Sequence, residues 1–375
     1  SEYSSVAETS WTPVTPNSYG DWINMRGDLF PSFHPMGDKE NKGGDSIFAT
    51  YSLGVVTNRD AWAYNFKREK VAYNMQRMIS VYNHQVDEYQ ATATTSEQKI
   101  EVDSFIDTDP QKISWTRSLK GQLRQGRKFD FNSDQIVTSA YRPFSKQKLY
   151  FNRRFNEMVY LVPSLFPSPE AKNRVITVTG RGASKPFTSL MTDAIPNLHL
   201  LDTAQNFPLY YYEKVSDQAD MFITPAEVAT GYVRHDAITD RSLIMHQKTY
   251  DDASISKEDI FYYVYGILHS PEYRERFEAD LKKEIPRIPY AEDFWAFSNA
   301  GRELGDLHVN YENQPKHPVT VTNTHKAPES AEALRVEKMR FARKDKQQDK
   351  TTIIYNKHIT ISNIPLEAYE YQVNG

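Results

Sequence analysis

Between residues 136 and 212 the sequence is interrupted by Pro, Gly or Asn at intervals of about ten residues, the spacing of short antiparallel strands joined by turns. The β-type runs are 136–141, 148–151, 158–162, 174–179, 188–192, 197–201 and 208–212. They predict an antiparallel sheet or a partial barrel, which needs further elements to cover its apolar face.

The same block carries an unusual charge. Fifteen basic residues stand against four acidic ones (Asp130, Asp134, Glu157, Glu170) between Gln111 and Pro186, a local balance of 15 − 4 = +11 in a chain whose net charge is -4. Tyr141, Phe144, Tyr150, Phe151, Phe155, Tyr160, Phe166 and Phe187 alternate with these cations. A basic, aromatic-rich block in a mildly acidic protein predicts a directional face for a polyanion. The competing reading is charge scattered over an ordinary surface.

The flanks supply the cover. Residues 1–35 lack periodicity and carry Trp11, Trp22, Phe30 and Phe33 as anchors of an extended segment. In 67–89, Val71, Met75, Met78, Ile79, Tyr82, Val86 and Tyr89 recur at helical spacing, with the Met pair read as core. Thr95 and Gln98 mark a short second helix. Asp109-Pro110 starts a third, which Gly126 ends. On that third helix Trp115, Leu119 and Leu123 share one face, and Arg117, Lys120, Arg124 and Arg127 share another without an acid among them. Residues 216–312 turn helical. Thr224-Pro225 with Glu227, Ser256 with Asp259, and Ser270-Pro271 open three helices, and a fourth ends near His308. Four further β-type runs follow, at 319–322, 335–342, 351–356 and 359–361. RKDKQQDK reads as an exposed hairpin tip that could touch phosphate, although such charged tips are usually just soluble.

No catalytic set emerges. The absence of Cys excludes thiolate chemistry, and the ten His residues show no metal-ligand spacing. NFPLY from Asn206 departs from the Asn-Pro-Pro-Tyr motif of amino-methyltransferases at Phe207 and Leu209, and is read as a strand start. GRGASK from Gly180 lacks the Gly-Lys-Ser/Thr of a phosphate loop and is read as a turn. Asp38 with Glu40 to Lys42 faintly suggests a nuclease site, but in a Gly-rich loop. The TNRD run at 57–60 reads equally as a ligand-facing group or a capped turn. No run is long and apolar enough to span a membrane, and the opening residues SEYSSVAETSW do not read as a signal peptide, so no membrane partner is expected.

Several segments resemble one family. They include GDWINMRGDLF, IFATYSLGVVTNRDAWAYNF, YRPFSKQKLYFN, the helical run from DIFYYVYGILHSPEYRERF through EIPRIP, and KTTIIYNKHITISNIP. Together they resemble the C-terminal part of the Type ISP restriction–modification enzymes. In that family one polypeptide joins a nuclease, an ATP-driven motor, a coupler, an N6-adenine methyltransferase and a target recognition domain. The resemblance implies a chain that starts after the methyltransferase core and stops short of the family's usual end. It also implies a cytoplasmic protein whose partners are double-stranded DNA and the methyltransferase domain of the same polypeptide. S-adenosylmethionine, ATP and Mg would serve the larger enzyme, with no cofactor in this part.

The expected fold is α+β, with β-rich recognition sheets braced by helices behind an extended and helical connecting segment. Four parts are expected: a connecting segment (1–130), a β-rich recognition part (131–250), a helical scaffold (251–315) and a closing β part (316–375). Arg117, Lys120, Arg124, Arg127, Arg142, Lys172 and Arg174 are the expected phosphate contacts. Lys146, Gln147, Asn152, Arg153, Arg154, Arg181 and Lys185 are the candidates for reading bases. No methyltransferase, ATPase or nuclease activity is expected of this chain. A structural coupling module that docks on the methyltransferase is the alternative, followed by a stand-alone phosphodiesterase.

Overall fold

A computed structural model of the chain describes residues 12–40, 44–95, 100–215, 224, 229–336 and 338–374. The fold is α+β, and it divides into two compact units, the second spanning Asn310–Val373. The expectations at Trp11, the Gln98 helix start, residues 41–42 and the Pro225–Glu227 helix start lie outside the described residues.

The first unit holds two apolar cores. In one, the helix Lys257–His269 is buried all round, from Ile260 to Leu268 without a gap. Ser256 and Asp259 close its N-terminus as a reciprocal capping box. Beside it runs the helix Phe294–Val309, and glycines let the two backbones meet. A Cβ on Gly301 would lie 2.0 Å from the Tyr262 carbonyl oxygen, and one on Gly266 would lie 2.2 Å from that of Phe297. Against this pair packs a four-stranded antiparallel sheet in the order Ser52–Leu53, Gln205–Pro208, Val175–Val178, Ser189–Thr192. Met191 of the last strand fills the space at Gly305.

The other core lies under the long helix Arg68–Thr95, whose seven expected apolar positions from Val71 to Tyr89 are all buried. Its sheet runs Tyr64–Asn65, Ser145–Tyr150, Ile136–Arg142, Ile195–Pro196, the last pair parallel. Arg68 ties helix to sheet by donating to the Ile136 and Ser133 carbonyls, each at 2.6 Å. Both sheets therefore combine strands from 1–130 with strands from 131–250, and His34–Pro35 pairs with Arg287–Ile288.

Several expected elements shift. Residues 158–162 are not a strand. Met158 makes one bridge to Val56, and Pro163 then begins the turn of helix Val162–Leu165. Residues 197–201 form a turn rather than a strand. The third helix starts at Arg117, not at Pro110, because Thr116 accepts the Leu119 amide at 3.2 Å as its N-cap. The helix expected from Pro271 breaks at Phe277 into Pro271–Arg276 and Glu278–Lys283.

The second unit is a four-stranded antiparallel sheet in the order Thr320–Asn323, Ile359–Ser362, Gln347–Ile354, Arg340–Lys344, with a short helix Ala331–Leu334. The strand expected at 335–342 begins only at Arg340. Among its described residues, Ala333 and Ile359 are the only buried apolar ones, while Val321, Leu334, Val336, Met339 and Leu366 are exposed.

Candidate nucleic-acid interface

The basic residues divide into those held by the fold and those displayed by it. The hairpin Ile136–Arg142/Ser145–Tyr150 turns through Phe144 at φ 50. Just before the turn, the Arg142 guanidinium lies 3.9 Å from the centre of the Tyr141 ring. It donates to the Asn197 side chain at 3.1 Å and stands 3.9 Å from Asp60. Asp60 also accepts the Tyr141 hydroxyl at 3.0 Å and the Thr57 hydroxyl. Thr57 in turn accepts the Arg59 amide at 3.0 Å. The TNRD run is thus a capped turn, and it also anchors the basic hairpin. Spacing alone missed Asp60 and Asn197 in this role, and the polar TNRD group was the available signal.

Arg59 of that turn is buried, with Nε and Nη2 enclosed and unpartnered among the described residues. Burial pushes its guanidinium down to about 10, partly opposed by the charge of Glu157. Beside the turn lies a cavity of about 600 Å³ lined by Asp60, Trp62, Trp115, Lys120 and Asn197 among others.

Four of the expected DNA contacts are tied into the fold by partners of their own. Arg174 is ion-paired to Asp306 at 2.6 Å and donates to the Tyr262 hydroxyl at 2.6 Å, bridging a strand to the helix pair. Lys146 sits 3.3 Å from Asp193. Lys120 pairs with Asp103 of the neighbouring helix Val102–Phe105, so the basic stripe does have an acid beside it. Asn152 staples its own turn. Its Oδ1 accepts the Arg154 amide at 2.7 Å, and its Nδ2 donates to Gln135 at 2.6 Å. Gln147 is half-buried in the hairpin, opposite Ser139.

The remainder are displayed. Arg117 and Arg124 are exposed on the helix Arg117–Arg124. Arg127 follows Gly126, whose φ of 65 ends the helix, so Arg127 is exposed beyond the stripe rather than on it. Arg153 and Arg154 are exposed on the turn that Asn152 holds. Arg181 and Lys185 are exposed on the 180–185 loop, and Lys172 is exposed on a separate segment. That loop is clamped by Ser184, whose amide and hydroxyl both donate to Asp202 at 2.8 Å and hold that carboxyl below its usual range. Asn206 is buried in its strand, accepting from Thr177 at 2.8 Å and donating to the Ser52 carbonyl at 3.1 Å. It is structural, as the broken motif predicts.

The described residues contain no group of three or more His, Cys, Asp or Glu that could hold a metal ion. They include no helix long and apolar enough to cross a membrane.

None of the curated proteins compared matches the chain. Solved structures do, among them three complexes with DNA. One is a nuclease-deletion mutant of the Type ISP restriction–modification enzyme LlaGI in complex with a DNA substrate mimic, at 35% identity and a TM-score of 0.78 over 99% of this chain. Another is the ATP-dependent Type ISP enzyme LlaBIII bound to DNA, at 32% identity and 0.77 over 96%. A DrdV–DNA complex gives 31% identity and 0.80 over 98%. The chain spans 31%, 21% and 35% of the lengths of those chains, respectively. The family model of the Type ISP C-terminal specificity domain matches residues 46–375, and with this likeness running through both units, the chain belongs to that family.

Proposed function

We propose that this chain binds double-stranded DNA as the non-catalytic target recognition part of a larger restriction–modification enzyme. It would direct N6-adenine methylation and motor-driven cleavage from an asymmetric site. The observation that carries the reading is the specificity-domain match over 46–375, joined to likeness with three DNA-bound enzymes. The displayed cations fit a division of labour. Arg117, Arg124, Arg127 and Lys172 would hold phosphates, with the half-buried Arg142 beside them, and Arg153, Arg154, Arg181 and Lys185, on turns pinned from beneath, would reach base edges. The target adenine would be turned out toward a methyltransferase domain of the same polypeptide. That domain, not this chain, would use S-adenosylmethionine, with ATP and Mg serving the motor and nuclease.

Replacing Arg117, Arg124 and Arg127 with Ala should weaken binding to specific and random duplexes alike. The slope of log K against log salt should fall by roughly 0.9 for each phosphate that is no longer neutralised. Replacing Arg153 or Arg181 should instead cost ~1–3 kcal/mol on the specific site if it reads a guanine, with less effect on random DNA. Fluorescence anisotropy on both duplexes at several salt concentrations measures these effects.

A second reading, a coupling module that docks on the methyltransferase, draws on exposed apolar side chains early in the chain, Trp22 at 60% and Ile23 at 78%. Unchanged affinity and salt slope in the Arg117/Arg124/Arg127 variant would favour it.

A further inference from the structure

The second unit carries charge that the interface above does not use. Between Arg335 and Lys357 the sequence has eight basic residues and three acidic ones. Four of the cations, Arg335, Lys338, Arg340 and Lys357, line one groove of about 350 Å³ together with His358 and a single acid, Glu332. Its floor is fixed by Asn356, which is buried. The Asn356 Nδ2 donates to the Ala333 and Arg335 carbonyls at 2.7 and 3.0 Å, and its Oδ1 accepts the His358 and Ile359 amides at 2.8 and 2.7 Å. One amide side chain therefore holds the 333–335 segment against the 356–359 turn, with the cations around it.

All four cations are exposed, and among the described residues none has a carboxylate within ion-pair distance. Apart from the displayed cations described above, the first unit pairs many of its basic residues with acids. Lys257 is paired with Asp236 and Asp240, Arg302 with Glu258 and Asp259, and Arg26 with Asp21 and Glu284. An ordinary solvated face intersperses its charges in that way. Like charges gathered in a concavity repel one another, and an incoming anion relieves the repulsion.

The cations continue past the groove. Arg340 lies at one end of the strand Arg340–Lys344, and Arg343, Lys344 and Lys346 lie toward the other, where the hairpin turns through Asp345 and Lys346 at φ 52 and 69. Five strand residues span ~13 Å. A single bound anion does not need that length, whereas a DNA strand presents a phosphate every ~3.4 Å of helix axis.

We propose that this groove and its hairpin are a sequence-independent contact for the phosphate backbone of double-stranded DNA, made by the second unit itself. The proposal rests on the DNA-binding reading and adds a site to it. In the full 375-residue chain, Lys338→Ala with Arg340→Ala should weaken binding to a random duplex and to the specific one by the same factor, about tenfold. It should also lower the salt slope by roughly 0.9 for each phosphate released. In the unmodified chain, duplex should protect Lys338 and Lys357 from acetylation, with the exposed Lys248 as reference. This second measurement does not depend on how the variant folds.

If the unmodified chain binds duplex while the variant keeps its affinity and slope, and Lys338 and Lys357 acetylate equally with and without DNA, the groove does not touch DNA and the DNA-binding reading stands. If the unmodified chain binds no duplex at any salt concentration, that reading falls and this proposal with it.

Discussion

Acidification from pH 6.5 to pH 4 should remove a large part of the stability of the first unit. Three histidines lie within its packed helices. His246 is buried among Tyr250, Tyr263, Tyr290 and Phe294, donates from Nδ1 to the Ser242 carbonyl at 2.8 Å, and faces the His34 ring at 6.0 Å. Burial pushes it down to about 4. His308, hydrogen-bonded to the Tyr265 hydroxyl, is likewise pushed down to about 4 by burial and by the charge of Arg274. The same two causes push His269 down to about 3, with its Nε2 enclosed.

In the unfolded chain these rings protonate near 6.5. As pH falls below that value the unfolded state takes up protons that the folded state refuses. The stabilisation is therefore complete above pH 6.5 and lost as pH falls through 4. At about 1.36 kcal/mol per unit, His246 alone accounts for roughly 3 kcal/mol, against a typical total of about 5–15 kcal/mol. Asp21, held low by Arg26 and Lys283, loses its contribution only in stronger acid. Thermal melts followed by near-UV circular dichroism between pH 7.5 and 4 measure the effect. A Tm that stays flat across this range would mean that the imidazoles are not held neutral.

Gly301→Ala should be among the most damaging single-atom additions to the chain. The new methyl would lie 2.0 Å from the Tyr262 carbonyl oxygen and 2.8 Å from the Gly266 nitrogen, and both are backbone atoms that no rotamer change can move. The helices Lys257–His269 and Phe294–Val309 would have to separate. They are also locked in register by Arg302, which lies 4.1 Å from the Tyr262 ring centre and bonds Glu258 and Asp259 at 2.7 and 3.0 Å. A cost of ~3 kcal/mol or more is expected, and Gly301→Val should yield little folded protein. Gly121→Ala is the control. It lies in the helix Arg117–Arg124 with open space where a Cβ would go, and it should stabilise by up to ~1 kcal/mol. Urea denaturation midpoints compare the two, and a Gly301→Ala midpoint equal to the parent's would show that the helices do not meet this closely.

The parts of the fold that the sequence shows are those whose signal is local. The core face of Arg68–Thr95 follows from its period, and the start of Lys257–His269 follows from Ser256 and Asp259. Two-residue strands such as Tyr64–Asn65 or His34–Pro35 have no period to read and exist because a distant segment pairs with them. The site divides in the same way. A run of cations is visible in the sequence, but whether each is free depends on acids far along the chain. Asp306 answers Arg174 and Asp193 answers Lys146, and neither partner is near in sequence. RKDKQQDK forms the hairpin tip that its sequence suggests. What the sequence does not show is that Arg335, Lys338 and Lys357, from segments on either side, gather with Arg340 around one groove.

With only Ala333 and Ile359 buried among its described apolar residues, the second unit has little hydrophobic stabilisation of its own. Local opening of such a region costs little free energy, so its amides should exchange early. Whatever the unit binds would supply part of its folding free energy, and the entropy of ordering it would be subtracted from the affinity. A ligand touching only a corner of the sheet would not offset that subtraction. One that covers the whole sheet would, so discrimination between partial and complete engagement would follow from the thinness of the core itself.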